Sequence, residues 1–200
     1  MFAPLGVEKI EFFLDLDYPP GYGGQRDYAS IPMLRVAFVA CVGAAVLMST
    51  PVVAKDLGQF EHWNGQSFTV DKQLVCSMWS QPQVDEGKYK RRGDIFVWIT
   101  HRPAQKTENR ISFEMGYPIK PGIQLEVLID KERFSLFTDG STAWNLDKAN
   151  DLKMVKAMRA GKQMEVKGTS KRGTNTRDVY SLSGFTAAHR AIGNACKVAS

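Results

Sequence analysis

The chain has 200 residues, with 26 Lys+Arg against 21 Asp+Glu and a formal net charge of +5. Its three Cys and three His are too scattered for a four-ligand structural zinc site, and no apolar run reaches the roughly 20 residues of a membrane span. A basic balance of this kind favours anionic partners such as lipid head groups, polysaccharide or nucleic acid, and equally fits a merely solvated basic surface.

Residues 1–32 mix acids (Glu8, Glu11, Asp15, Asp17) with a Pro19-Pro20-Gly21 break, which fits no signal peptide. They are expected to be a disordered extension upstream of the true start at Met33. From there Arg35, the apolar run 36–48 and Val52-Val53-Ala54 reproduce the n-region, h-region and small-residue cleavage site of a secretory leader. The expectation is a signal peptide over 33–54 and a single exported domain over 55–200, in the periplasm or cell envelope and without a transmembrane span. That part keeps 23 Lys+Arg and 16 Asp+Glu, a net charge of +7. At its length folding buries roughly 68% of the unfolded surface, enough for one core. Cys41 leaves with the leader, so Cys76 and Cys196 remain. Two cysteines in an oxidising compartment are most simply a disulfide.

Along the mature part, residues 74–79 read as the first strand, stopped at Pro82. The stretch 85–93, DEGKYKRRG, reads as a polar turn. Residues 94–100, DIFVWIT, are β-branched or aromatic on both faces and predict a central strand. Residues 110–115 and 123–129 alternate cleanly, and Asp130-Lys131 and Asp139-Gly140 are turn signals around 133–137. A helix is predicted over 147–160, capped by Asp147, stopped at Gly161 and buried along Ala149, Leu152, Val155 and Met158. Residues 163–167 and 178–182 return to strand. A closing helix follows, with Ser183 as its cap and Phe185, Ala188, Ile192 and Cys196 on one face. Short strands at this spacing predict a mostly β fold: an antiparallel β-sandwich or partly open barrel with two short helices, the last at the C-terminus.

Neither HExxH, GxSxG, a P-loop nor GxGxxG occurs in the sequence, so the common metalloprotease, hydrolase and nucleotide-binding chemistries lack their residues. No catalytic residue, metal ligand or cofactor is assigned, and no sequence-specific nucleic-acid partner. His189 falls on the apolar face of the closing helix and reads as a packed, hydrogen-bonded histidine at the core edge. The cations Lys88, Lys90, Arg91 and Arg92, with Tyr89 among them, are the candidate anion-binding group; Lys171-Arg172 with Arg177 is a second basic set.

Several blocks carry a resemblance: THRP (100–103), MGYPIKPG (115–122), VLID (127–130), AWNLD (143–147), MRAG (158–161), KGTSKRGT (167–174) and DVYSLSGFTAA (178–188). In this order they resemble the invasion-associated locus B family of exported bacterial proteins, over nearly all of the mature region. The resemblance implies a periplasmic or envelope-associated, virulence-associated protein and supplies no catalytic residues. The chain departs from the family pattern at His189, where an aliphatic residue is expected. It also lacks a cysteine between Trp63 and Cys76, so a second disulfide is not expected. The reading is a non-enzymatic exported protein that binds an anionic envelope component or a host surface. The alternative is a periplasmic enzyme with an unrecognised active site.

Overall fold

Alternation of apolar and polar residues resolves into eleven strands in the computed structural model, which describes residues 54–199. They are β1 (Lys55–Phe60), β2 (Trp63–Val70), β3 (Gln73–Ser80), β4 (Val84–Gly87), β5 (Phe96–Arg102), β6 (Thr107–Glu114), β7 (Leu125–Ile129), β8 (Glu132–Asp139), β9 (Thr142–Trp144), β10 (Gln163–Thr169) and β11 (Asn175–Ser181). Two α-helices accompany them, α1 (Lys148–Ala160) and α2 (Phe185–Cys196). Every pairing is antiparallel, and the strands form one open sheet in the order β1-β2-β3-β5-β6-β9-β8-β7-β10-β11-β4. The mostly β reading with two helices, the last at the C-terminus, therefore holds. The expected extension 1–32 and, but for its last residue, the expected leader lie outside the described residues.

The sheet passes from one half to the other through β8. Residues 132–136 of that strand pair with β7, whereas 137–139 pair with β9. The two halves then fold toward each other. Phe113 on β6 meets Tyr180 on β11 edge to face, with ring centroids 6.4 Å apart. Trp63 Nε1 on β2 donates to Ser181 O at the end of β11, 3.1 Å away. The inward side chains of both halves, among them Ile99, Ile111, Val127, Val166 and Met164, consequently share one core.

Helix α2 seals that core over β2 and β3. Phe185, Ala188, Ile192 and Cys196 are all buried, and burial of side chains the size of Phe185 or Ile192 contributes about 1.5–3 kcal/mol each. Trp63 stands edge-on to Phe185 at 4.9 Å. The Cys76–Cys196 disulfide joins the helix end to β3, with Cα atoms 6.0 Å apart across a sequence separation of 120.

Three expectations change in detail. The cap of α2 is Gly184 at φ +89°, with no side-chain hydrogen bond. A Cβ there would run into the Phe60 carbonyl, so the left-handed, side-chain-free residue sets the entry angle and Ser183 does not cap. Asp147 does cap α1, accepting from Asn150 N at 2.8 Å. The buried face of α1, however, is Asp151, Met154, Val155, Ala157 and Met158, while Leu152 is exposed. The helix is rotated because the Asp151 carboxylate is drawn inward, where Oδ1 accepts from Ile111 N (3.2 Å) and Asn145 Nδ2 (3.0 Å). Finally, β1, β2 and β4 are strands that polar composition concealed. The β2–β3 hairpin turns on Asp71 and Lys72, both at positive φ, a conformation usually marked by Asn or Gly.

Candidate functional site

The hairpin formed by β10 and β11 brings the separate basic sets of the sequence together. Its tip is held by Ser170, whose Oγ accepts from Thr174 N at 3.1 Å and whose carbonyl accepts from Gly173 N at 2.8 Å. Gly173 supplies the positive φ that the turn needs (+85°). Strand β4 pairs along the far side of β11, matching Gly87 with Thr176 and Glu86 with Arg177. Lys88, the residue after β4, lines the same groove as Asn175 and Arg172 of the hairpin. Residues 85–93 are thus half edge strand and half loop rather than a free turn.

An open groove of about 1080 Å³ lies at this end of the molecule, lined by Glu86, Lys88, Gln124, Glu126, Lys167, Thr169, Arg172, Asn175 and Arg177 among others. Side chains alternate between sheet faces along a strand, and the registers sort this lining into two rungs. The first runs Glu126, Lys167, Arg177, Glu86 across β7, β10, β11 and β4. The second is shorter: two residues along, Thr169 pairs with Asn175 across β10 and β11, and Gln124, just before β7, and Lys88, just after β4, complete the lining there.

The first rung is electrostatically closed. Lys167 Nζ lies 2.7 Å from Glu165 Oε1, Arg177 Nε donates to Glu165 Oε2, and Arg177 Nη1 reaches Glu86 Oε2 at 3.2 Å. The hydrogen bond from Lys167, helped by that from Arg177, holds the Glu165 carboxyl below its ordinary range. The second rung is a hydroxyl–amide pair, in which Thr169 Oγ1 donates to Asn175 Oδ1 at 2.9 Å, with Gln124 also in the lining. Lys88 and Arg172 are exposed and have no ion-pair partner among the described residues.

The four cations singled out from the sequence separate. Lys88 lines the groove, and Lys90 and Arg91 are exposed on the segment beyond it. Arg92 turns inward. Its Nη1 and Nη2 each lie 2.6 Å from an oxygen of Asp178, its Nε donates to Met115 O at 2.9 Å, and its guanidinium lies over the Tyr117 ring at 4.9 Å. Both side chains of the pair are almost wholly buried. Burial pushes the Asp178 carboxyl up, against the pull of Arg92. Arg92 is therefore a structural cation. The signal that identifies it is Asp178, an acid directly before the buried Val179 and Tyr180 of β11, which requires a buried partner.

None of the three histidines lines the groove. His62 Nδ1 is 3.1 Å from Gln83 Nε2 on the exposed surface. His101 and His189 are buried, His189 with its Nε2 donating to Asn109 Oδ1 at 2.7 Å. Among the described residues no group of three or more His, Cys, Asp or Glu is placed to hold a metal ion, and no helix is long and apolar enough to cross a membrane.

Fold and site together define a disulfide-clamped antiparallel β protein with a polar, cation-lipped groove on one half of its sheet. The family model described as invasion associated locus B (IalB) protein matches residues 63–193, and the chain belongs to that family. No curated protein and no solved structure matches it. The family and the disulfide are both consistent with an exported protein in an oxidising compartment.

Proposed function

We propose that this chain is an exported, non-enzymatic protein of the periplasm or cell envelope that binds an anionic envelope component or host surface at its basic end. The observation that carries this reading is the convergence of Lys88 and Arg172, 84 positions apart in sequence, on one groove, with Lys90 and Arg91 exposed nearby. Cations gathered from distant segments onto one surface raise the local concentration of a polyanion. The leader read over 33–54 supports a compartment in which such a partner exists.

Salt-dependent retention on an immobilised polyanion tests the binding. Affinity falls with salt because bound counterions are released, and the K88E/K90E/R91E variant is expected to elute much earlier than the wild type. Arg92 is left intact because its charge is internal. Unchanged elution of the triple variant would remove the basic end from the function. N-terminal sequencing of the released protein is expected to begin at Lys55; a start at Met1 or Met33 counts against export by this leader.

A further inference from the structure

The two rungs of the groove differ in kind, and the difference selects among polyanions. Resting on the anion-binding reading above, we propose that the groove is a subsite for a linear acidic glycan, whose hydroxyl groups lie on the second rung and whose acid groups meet Lys88 and Arg172.

The first rung repels more than it attracts at its ends. Glu126 and Glu86 stand at its two extremes, and Arg177 between them is already held by two carboxylates. A polyanion is steered off this rung and toward the hairpin tip. There the lining offers Gln124, Thr169 and Asn175, neutral hydrogen-bonding groups. Because Thr169 donates its hydroxyl to Asn175 Oδ1, the Asn175 amide nitrogen keeps two donors to offer a ligand. At about 1080 Å³ the groove is at the upper end of the roughly 300–1,000 Å³ typical of small-molecule sites, room for a short run of sugar rings. Lys88, just after β4, and Arg172, at the turn, add exposed cations to the same lining.

Other anionic polymers fit this lining less well. Single-stranded nucleic acid is held by aromatic platforms on which bases stack, and no aromatic side chain is among the residues lining the groove. An anionic lipid surface is met by apolar side chains that enter it beside the cations, whereas the one aliphatic residue of the lining, Ile123, is only half exposed and sits within the groove. Sugar rings with acid substituents need what is present: hydroxyl and amide partners and a few free cations.

The test uses protein expressed from the full chain and purified as the cell releases it. Titration calorimetry near physiological salt compares an oligogalacturonate and a heparin-derived oligosaccharide with inorganic polyphosphate of matched charge and with phosphatidylglycerol vesicles. At least one glycan is expected to bind more tightly than polyphosphate, with the carboxylated and sulfated arms separating an envelope uronate from a sulfated host chain. Removing both free cations in K88Q/R172Q should weaken glycan binding about tenfold or more. Removing the amides in Q124A/N175A should weaken it about three- to tenfold and leave polyphosphate binding unchanged. All four side chains are exposed, and unchanged near-ultraviolet circular dichroism confirms the fold of each variant. Polyphosphate or vesicles binding as tightly as the glycans, with Q124A/N175A indistinguishable from wild type, would overturn the glycan subsite and leave the anion-binding function standing. Absence of binding to all four probes would overturn both.

Discussion

His101 and His189 meet edge to face inside the protein, their ring centroids 5.6 Å apart. Asn109 links them, donating its backbone N–H to His101 Nδ1 at 3.0 Å and accepting from His189 Nε2 at 2.7 Å. The link exists because the β5–β6 pairing slips beside His101, so that Glu108 and Asn109 stand opposite one residue. Asn109 takes positive φ (+58°), which Asn tolerates better than most residues. His189 also stacks on Phe185 at 5.7 Å. The contact fastens α2 to the middle of the sheet, next to the disulfide.

Acid should loosen this fastening. Burial, reinforced by the neighbouring His189, lowers His101 to about 4; burial, reinforced by the positive charge of Arg159 on α1, lowers His189 to about 4. Unfolded histidines titrate near 6.5, so between about 6.5 and 4 the unfolded chain binds more protons than the folded one. Stability is then full above about 6.5 and declines as pH falls through that window. Denaturant midpoints measured from pH 7.5 to 4.5 are expected to fall, and H189Q to flatten the decline. A flat profile for the wild type would show that both histidines protonate in the folded protein as readily as in the unfolded chain.

The disulfide closes a loop of 120 positions, and removal of such a bridge typically costs about 2–5 kcal/mol. The C76A/C196A variant is expected to unfold at correspondingly lower denaturant, with α2 amides losing hydrogen-exchange protection before those of β5 and β6. Equal midpoints for oxidised and fully reduced protein would show that packing of Phe185 and Ile192 alone holds the helix.

Breaking the Arg92–Asp178 pair and removing it should differ. D178N leaves a buried guanidinium without its counter-charge and is expected to cost about 3–5 kcal/mol, whereas an apolar R92M/D178L replacement is expected to cost much less. Thermal unfolding of the two variants decides this. A double variant no better than D178N would mean that the Arg92 bond to Met115 O, rather than charge compensation, dominates.

At the entry to α2, neighbouring substitutions should have opposite consequences. G184A forces a Cβ against the Phe60 carbonyl at φ +89°, where left-handed strain alone costs about 1–3 kcal/mol. S183A removes no capping bond and should stay within about 0.5 kcal/mol. Comparable losses at the two positions would restore Ser183 as the cap.

Periodicity and turn chemistry in the sequence point to the β class and the closing helix with its buried Phe185, Ala188, Ile192 and Cys196, and the leader reading points to the Cys76–Cys196 pairing that the structure holds. Each depends on local patterns or on a choice with one solution. Strands β1 and β4 were hidden because they are the two edges of the sheet and need no apolar face, and β2 because its buried positions include polar Gln66 and Ser67 and its Asp71-Lys72 turn carries no glycine. The groove was beyond reach for a different reason. Nothing local pairs residues 84–87 with 176–179; only the sheet register brings Lys88 to the tip that carries Arg172. The same long-range packing takes Arg92 out of a run of four cations and buries it, because Asp178, 86 positions away, cannot stay charged in the core without it. Local order is written in short-range sterics and hydrophobic spacing, whereas the chemistry of a surface depends on which distant segments the tertiary fold makes neighbours.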